Sequence, residues 1–263
     1  DDVDWLIGFC GSMIIAEAAY WRRSLSLSGA IAAVFIGTIL YALGGAGWYV
    51  PLLAFFFSSS MLSKFRRRQK AQLNALYEKS DRRDLGQVLA NGGLGTLLCI
   101  AHALFPHPYW WFAYIGVMAS VNADTWATEI GGLSSRIPRS IRTGKPVASG
   151  TSGGVTLLGL SASAAGALLI GIVAWLLGPW PLSLALIALC SGFAGALADS
   201  IMGATVQQMR RCELCGREVE AAVHCERLTR LVRGMRGMNN DAVNGLSSFI
   251  GGLVCLLLAA IIL

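Results

Sequence analysis

The sequence predicts an all-α protein: a polytopic integral membrane helical bundle of about eight transmembrane helices, with a polar pocket that faces the cytoplasm. Three observations predict this class, namely the composition, the recurrence of long apolar runs and the placement of the basic residues. Of the 263 residues, 55% are hydrophobic and only 14% are charged, whereas roughly a quarter of the residues of a soluble domain are charged. The mean hydropathy of +0.59 agrees with a membrane protein.

The apolar runs are long enough to cross a bilayer, because a helix needs about 20 residues to span a hydrocarbon core of about 30 Å. They recur along the whole chain, which excludes a soluble domain behind a single N-terminal signal. We predict one transmembrane domain over residues 1–263, with spans near residues 5–21, 27–44, 47–63, 87–105, 109–130, 154–178, 181–203 and 242–263.

The connections between the spans alternate in charge. Those after spans two, four and six are short and contain no Lys or Arg. All 21 Lys and Arg residues fall in the other four connections, at 22–23, 64–86, 131–150 and 204–240. Because cytoplasmic loops carry an excess of basic residues, we expect these four to be cytoplasmic and both termini to lie outside. The net charge of +6 is thus a topology signal and predicts no nucleic-acid partner.

Ionisable side chains within the predicted spans are unexpected, since each is costly in lipid unless it is paired or hydrated. Under the predicted topology, those of this chain and the accompanying asparagines lie toward the cytoplasmic ends of their helices. They are Glu17, Asp124, Glu129, Asp199, Asp241, Asn91, Asn122, Asn239, Asn240 and Asn244. This common side predicts a shared pocket. The alternative, interfacial residues that end helices, applies best to Glu17.

Asp124 and Asp199 occur in similar settings, because each follows Ala and precedes a hydroxyl residue, Thr125 or Ser200, near the end of a span. Two such pairs that face one pocket supply hard oxygen ligands, which suit Mg²⁺ held by one or two carboxylates and substrate phosphates. We therefore predict that Asp124 and Asp199 are catalytic and bind Mg²⁺. Glu129 shares a helical face with Thr125 and is predicted to be a further ligand or a base. Asp241 is predicted to be a fourth catalytic residue.

The loop 131–150 is basic and leads into a segment rich in glycine and hydroxyl residues directly before span six. The backbone amides of such a segment and the positive end of the following helix favour anion binding. The segment is not a Walker A motif, because Pro146 stands where that motif has Ser or Thr. We predict that phosphates are bound by Arg136, Arg139, Arg142, Lys145, Ser149, Thr151 and Ser152, and oriented by Asn91, Asn122 and Asn244. The alternative is a flexible loop whose charge only sets the topology.

The loop 64–86 contains two arginine runs, Arg66-Arg67-Arg68 and Arg82-Arg83. Its simplest interpretation is a membrane-surface helix that contacts anionic lipid head groups. Recruitment of a phosphate substrate is the alternative.

The last long loop contains three thiols and one imidazole, those of Cys212, Cys215, His224 and Cys225. The Cys-x₂-Cys half has the spacing of a zinc site, whereas the adjacent His-Cys pair is tighter than the usual second half. A zinc site with four protein ligands is closed, so such a site would be structural and would hold the loop over the pocket.

Three motifs occur together in this chain: the run Asn122-Ala-Asp-Thr-Trp-Ala-Thr-Glu-Ile-Gly131, the segment Gly-Thr-Ser-Gly-Gly-Val-Thr at 150–156, and Asn240-Asp-Ala-Val-Asn244. They resemble the family that contains transmembrane protein 19 and the plant phytyl-phosphate kinases of tocopherol synthesis. The resemblance extends from about Asn91 to Gly252 and is weaker before. The cysteine-bearing loop looks like that of prokaryotic members, which implies a prokaryotic inner or plasma membrane.

The resemblance implies a membrane-embedded kinase that transfers a phosphoryl group from CTP or another nucleoside triphosphate to an isoprenyl monophosphate. The chain length of the acceptor does not follow from it. Two other functions stay open: a CDP-lipid synthase-type nucleotidyltransferase, which would release pyrophosphate, and a non-catalytic lipid-binding or transport protein. A transporter would place its ionisable groups near the middle of the bilayer, whereas here they lie toward one end.

Overall fold

The computed structural model describes residues 1–65 and 82–263, and these residues contain eight long α-helices. In chain order they are α1 (Asp2–Trp21), α2 (Leu27–Gly44), α3 (Ala46–Lys64), α4 (Leu85–Leu104), α5 (Pro108–Gly131), α6 (Leu157–Leu176), α7 (Ser183–Thr205) and α8 (Asn240–Ile262). Each helix begins and ends within three residues of a predicted span, so the predicted helix positions are confirmed. The run Arg66-Arg67-Arg68 lies outside the described residues, and the membrane-surface helix expected there stays a prediction.

Seven of the helices in the described part of the chain are long and apolar enough to cross a membrane. The other is α5, which lies at the centre of the bundle and packs against α3, α4, α6, α7 and α8. Every residue from Trp111 to Ala123 is buried. This stretch of α5 therefore faces protein rather than lipid, which is where polar residues of membrane helices are tolerated. The protein is an all-α polytopic membrane protein, as predicted.

Small residues let α5 approach its neighbours closely. Gly116 lies against Gly251 and Gly252 of α8, where an added Cβ would come within 2.5 Å of the Gly251 carbonyl oxygen. Gly166 of α6 lies against the Trp126 side chain of α5 in a similar way. Helices in a bilayer associate through such contacts, because the hydrophobic effect does not drive them together there. The close packing also determines which side chains of α5 point away from the bundle core.

Polar capping residues start α4, α6 and α8. The Asp84 carboxylate accepts a hydrogen bond from the Gln87 N–H, and the Gln87 side chain accepts one from the Asp84 N–H, which forms a capping box. The Thr156 hydroxyl and the Asn239 amide oxygen accept N–H groups from the first turns of α6 and α8. Each cap satisfies a donor that the helix leaves unbonded. These three helix starts lie at the end of the bundle that carries the site.

Two loops contain short antiparallel strands that the sequence did not predict. Before α6, β1 (Arg139–Ser140) pairs with β2 (Gly154–Val155). Between α7 and α8 lie β3 (Met209–Arg211), β4 (Glu218–Val219), β5 (Val223–His224), β6 (Arg227–Leu228) and β7 (Arg230–Arg233). They form a three-stranded sheet in the order β4-β3-β7 and a β5-β6 hairpin. Both loops therefore have a defined backbone beside the helix ends.

Candidate functional site

A polar cavity of about 330 Å³ lies at the end of the bundle where the basic loops meet the helices. It is lined by residues from the last turns of α3, α5 and α7, from the first turns of α4, α6 and α8, and from the two strand-containing loops. The predicted site residues that line it are Asn91, Asp124, Glu129, Arg136, Ser149, Thr151, Ser152, Asp199, Asp241 and Asn244. The shared pocket expected from the common side of these residues is thus present. Glu17 is exposed and does not line it.

Asp124 of α5 and Asp199 of α7 form the carboxylate pair of the cavity. Their side chains are close enough for the two charges to interact. The Ser247 hydroxyl of α8 donates a hydrogen bond to Asp199 Oδ2 at 3.0 Å, and Thr125 and Ser200 line the same cavity. Two half-buried carboxylates with neighbouring hydroxyls are a hard oxygen donor set, which fits Mg²⁺. Because like charges so close together repel, a bound cation would stabilise the pair.

Glu129 interacts with the opposite wall of the cavity. The Ser63 hydroxyl of α3 donates a hydrogen bond to Glu129 Oε1 at 2.6 Å. The Arg83 guanidinium lies near enough to interact with the carboxylate charge. Glu129 thus interacts with both Ser63 and Arg83, and its role as a further ligand or a base stays a prediction.

The glycine-rich segment 149–156 forms the wall next to α6. Gly150 and Gly153 have φ values of 84° and 79°, a left-handed conformation that glycine adopts without steric cost. Gly153 also packs directly against Ala204 of α7, where no side chain would fit. The backbone of the segment therefore lies against the end of α7 and beside the N-terminus of α6. That helix end carries a partial positive charge, which attracts anions.

A chain of hydrogen bonds joins this segment to the loop between α7 and α8. Ser152 Oγ donates to Gln207 Oε1 at 2.6 Å, and Gln207 Nε2 donates to Glu220 Oε1 at 2.8 Å. All three residues line the cavity. The wall thus depends on how the residues around Glu220 are folded.

Three of the predicted phosphate-binding residues lie outside the cavity lining. Arg139 is exposed on β1, and Arg142 and Lys145 are exposed on the loop that follows it. Arg139 Nη1 donates to the Gly144 carbonyl at 2.9 Å. Arg136, earlier in the same loop, does line the cavity. The structure therefore brings only Arg136 of these four basic residues to the site.

Asn122 is not at the cavity either. It is 0% exposed in the middle of α5. Its Nδ2 donates to the Gly166 carbonyl at 2.7 Å, and its Oδ1 accepts a hydrogen bond from Ser58 Oγ at 3.1 Å. The side chain thus links α5 to α6 and α3. Its expected part in orienting phosphate oxygens is not supported by this position, which is that of a structural amide.

Arg83 lines the cavity, although the simplest interpretation of its loop was a lipid-contacting surface, with recruitment of a phosphate substrate as the alternative. Its Nη1 donates to Ser60 Oγ at 3.3 Å, and its guanidinium carbon lies 5.4 Å from the centre of the Phe55 ring. Burial lowers the pKa of the guanidinium to about 10, a shift that the nearby Glu129 opposes. The side chain is therefore still cationic at neutral pH. The sequence did contain one signal for this position. Arg83 directly precedes Asp84, which caps the start of α4, so its backbone lies at the end of that helix.

Ser163 was also missed. It lines the cavity from α6 and is 2% exposed. Within the described residues its hydroxyl has no hydrogen-bond partner. A serine in an apolar span gives no signal in the sequence, since such hydroxyls commonly bond to their own helix.

A second, apolar cavity of about 60 Å³ lies between α1, α2, α3 and α4. Its walls are mainly aliphatic and aromatic side chains, among them Ile15, Ala33 and Phe55. Arg83 and Asn91 line both cavities. The polar and apolar spaces therefore meet at these two residues.

The four predicted zinc ligands lie together in the loop between α7 and α8. One ligand atom from each of Cys212, Cys215, His224 and Cys225 lies within 4.8 Å of all the others. His224 Nδ1 is 3.5 Å from Cys215 Sγ and 3.2 Å from Cys225 Sγ. Three thiols and one imidazole are a soft donor set, which fits zinc.

The thiols of this cluster differ in acidity. Hydrogen bonds, first from the backbone N–H of Cys215 and then from the His224 side chain, lower the pKa of Cys212 to about 6. Desolvation, followed by hydrogen bonds with the neighbouring thiols, raises the pKa of Cys225 to about 11.

Known proteins match this chain along most of its length. The model of the family described as Integral membrane protein DUF92 matches residues 10–252. Protein PGR of Arabidopsis thaliana is 31% identical over 90% of this chain and 89% of its own length. An uncharacterized membrane protein of Methanocaldococcus jannaschii is 30% identical over 90% of this chain and 86% of its own length.

Protein VTE6, chloroplastic, of Arabidopsis thaliana is 24% identical over 91% of this chain and 66% of its own length. No solved structure matches. These relatives agree with the family resemblance that the three motifs predicted. The chain therefore belongs to the DUF92 family of integral membrane proteins.

Proposed function

We propose that this protein is an isoprenyl-monophosphate kinase, which transfers a phosphoryl group from CTP or another nucleoside triphosphate to an isoprenyl monophosphate within the membrane. The observation that carries the proposal is that an oxygen donor set, the two arginines Arg83 and Arg136 and an apolar cavity lie together at one end of the bundle. A triphosphate with its counter-ion and a lipid phosphate would each find a matching surface. The resemblance of the Asp124 motif to that of the plant phytyl-phosphate kinases supports the same activity.

The reaction breaks the bond between Pγ and the oxygen that bridges it to Pβ, and it forms a bond between Pγ and an oxygen of the acceptor phosphate. CDP leaves with the bridging oxygen, and the isoprenyl diphosphate is the product. Because the second pKa of a phosphate monoester is about 6, the acceptor is largely ionised at neutral pH and needs no strong base. Alignment and charge neutralisation are the main requirements.

Asp124 and Asp199, with the hydroxyls of Thr125 and Ser200 nearby, are the residues that would hold Mg²⁺. The ion would neutralise charge on the phosphate oxygens. Ser247 orients Asp199 through its hydrogen bond. Since the carboxylate pair repels an anion, nucleotide and cation should bind together.

The donor phosphates would bind against Arg136 and the segment 149–156. Both line the cavity beside the N-terminus of α6, and backbone N–H groups in such segments bind phosphate oxygens. Arg139, Arg142 and Lys145 are exposed on the adjacent loop. They would attract the nucleotide at longer range, since a patch of one charge raises the local concentration of an oppositely charged ligand.

The acceptor would bind at the boundary between the two cavities. Its phosphate would contact Arg83 and Asn91, and its isoprenyl chain would pass through the apolar cavity between α1, α2, α3 and α4 and continue between the helices into lipid. By the positive-inside rule the polar cavity would face the cytoplasm, where nucleoside triphosphates are available, with both termini outside. The membrane would be a prokaryotic inner or plasma membrane.

A product assay tests the activity. Purified protein, Mg²⁺ and CTP labelled at the γ-phosphate are incubated with geranyl, farnesyl, geranylgeranyl or phytyl monophosphate. We expect labelled isoprenyl diphosphate and unlabelled CDP in equal amounts. Release of pyrophosphate with a CDP-lipid would instead indicate a nucleotidyltransferase. The absence of turnover with every nucleotide and acceptor would favour a lipid-binding or transport protein.

Ala33→Phe tests the place of the isoprenyl chain. The larger side chain would fill part of the apolar cavity. Each methylene of the isoprenyl chain that is then no longer buried lowers the binding free energy by about 0.8 kcal/mol. We therefore expect the preference for geranylgeranyl over geranyl monophosphate to fall about tenfold, measured as a ratio of kcat/KM values. Ala18→Phe is the matched control, because Ala18 is exposed on α1 and does not line the cavity. An unchanged ratio in Ala33→Phe would place the chain elsewhere.

A further inference from the structure

The loop between α7 and α8 contains a cluster of metal-ligating side chains that the kinase chemistry does not use. We propose that Cys212, Cys215, His224 and Cys225 bind one zinc ion in a closed tetrahedral site, which folds this loop against the polar cavity. The inference is independent of the catalytic activity, because it rests on the donor set, the geometry and the backbone of the loop.

The distances agree with a tetrahedral site. With Zn–S bonds of about 2.3 Å and a Zn–N bond of about 2.0 Å, neighbouring sulfurs lie about 3.8 Å apart and sulfur and nitrogen about 3.5 Å apart. His224 Nδ1 is 3.5 Å from Cys215 Sγ and 3.2 Å from Cys225 Sγ, and all four ligand atoms lie within 4.8 Å of one another. Small side-chain rotations bring them around one ion, with Nδ1 as the ligand of His224.

The first two ligands lie on the turn between β3 and β4. Gly216, with a φ of 71°, follows Cys215 and donates its N–H to the Cys212 carbonyl at 2.8 Å. Cys212 N–H in turn donates to the Arg217 carbonyl at 3.0 Å. The turn thus directs both thiols to the same side of the sheet, as a Cys-x₂-Cys ligand pair requires.

The other two ligands lie on the hairpin of β5 and β6. His224 pairs with Arg227, so Cys225 and Glu226 form a two-residue turn, with φ values of 51° and 60°. Turns of this kind favour Asn-Gly or Gly-Gly, because residues with a Cβ avoid the left-handed conformation. A turn of Cys-Glu is therefore locally unfavourable, and metal binding by Cys225 accounts for its presence.

The charge of the surroundings suits the ion. Zinc with three thiolates and a neutral imidazole has a net charge of about −1. Residues 204–240 contain seven arginines, at positions 210, 211, 217, 227, 230, 233 and 236, and four glutamates, at positions 213, 218, 220 and 226, so their net charge is +3. A net positive charge in the loop favours thiolates over thiols. An iron–sulfur cluster is a poorer match, since its usual ligands are four thiolates or, in Rieske centres, two thiolates and two imidazoles.

The position of the site indicates a structural role. Four protein ligands leave no open position for water, so the ion would not activate a substrate. β4 follows the first Cys pair and leads directly to Glu220, which contacts the cavity segment through Gln207 and Ser152. Arg233 of β7 donates to the Gly203 carbonyl of α7 at 2.9 Å. Zinc would thus hold Glu220 and Gln207 at the cavity wall.

Metal analysis of the full-length protein, purified in detergent without chelators, tests the proposal. We expect one zinc per chain by mass spectrometry of the elements, and no stoichiometric iron. Cys212→Ser and Cys225→Ser should each lower the zinc content to background. Cys190→Ser is the matched control and should keep the ion, because Cys190 is an exposed free thiol of α7 outside the cluster.

A second measurement uses the unchanged chain, in case a cysteine variant does not fold. The zinc is removed with a mercurial reagent and replaced by Co²⁺, which should give the absorption bands of a tetrahedral cobalt–thiolate site. Metal removal should expose the arginines of residues 206–239 to trypsin, and Co²⁺ or Zn²⁺ should restore protection. Zinc retained in both cysteine variants, iron in its place, or a chain that binds neither Zn²⁺ nor Co²⁺ would overturn the proposal. None of these readouts requires kinase activity, so the two proposals fail separately.

Discussion

Asp124→Asn and Asp199→Asn are each expected to lower kcat/KM for phosphoryl transfer from CTP by about 10²- to 10³-fold. Asparagine keeps the size of the side chain and one oxygen but lacks the negative charge that would hold Mg²⁺. Initial rates with saturating prenyl phosphate, measured across a Mg²⁺ titration, test this. The half-saturating Mg²⁺ concentration should rise in both variants, which a defect confined to folding would not produce.

Glu17→Gln is the matched control for these variants. Glu17 is a carboxylate near the same end of the bundle, but it is exposed and lies outside the cavity. Its rate and Mg²⁺ dependence should equal those of the wild type. The melting temperatures of Asp124→Asn and Asp199→Asn should not fall, because each change removes one of two like charges that repel. Full activity in either variant would contradict the assigned role of that carboxylate.

The sequence was sufficient to predict where the helices lie and that the polar residues lie toward the same end of the bundle. Apolar runs and charged connections determine where a membrane helix must end, and alternation of the spans then brings Asp124 and Asp199 to the same end of the bundle. The Asp84 and Thr156 caps lie at these ends for a local reason, since both side chains bind N–H groups of the helix that they start. Helix caps depend on residues that are close together in the sequence, and they can therefore be predicted from it.

The direction in which a helical residue points could not be predicted in the same way. Asn122 and Asp124 are two residues apart on α5, so they lie on nearly opposite faces of the helix. Only one of them can face the cavity, and the packing of α5 against α3 and α6 decides that it is Asp124. The hydrophobic pattern did not indicate which face of α5 lines the cavity, because α5 is enclosed by protein on nearly all sides.

The position of Arg83 and the short strands of the loops also could not be predicted from the sequence, because both depend on tertiary contacts. The charges of the loop 64–86 all count equally toward the topology, so their sum does not show that Arg83 turns inward. Arg83 does so because its backbone pairs with Ser24 and Ser26 in the connection between α1 and α2. Those contacts join segments that are far apart in the chain. The strands around Cys212 and Cys225 are likewise too short to show an alternating pattern.

Arg83→Ala is expected to raise the KM for the prenyl monophosphate by about 10- to 100-fold, since a hydrogen bond between two charged groups contributes about 1.5–3 kcal/mol. The KM for CTP should change much less, because Arg83 lies at the mouth of the apolar cavity while the donor phosphates would lie against α6. Arg83→Lys should restore part of the affinity, since it keeps the charge but not the paired donors of the guanidinium.

The control is Arg82→Ala, because Arg82 is the adjacent arginine and lines neither cavity. If lipid attraction were the function of this arginine pair, both alanine variants would weaken acceptor binding equally, and added salt would remove the difference from the wild type. If Arg83 binds the acceptor phosphate, only its own variant raises that KM, and the effect persists in salt because the guanidinium is partly shielded from solvent. A rise in the KM for CTP alone would move Arg83 to the donor side of the site.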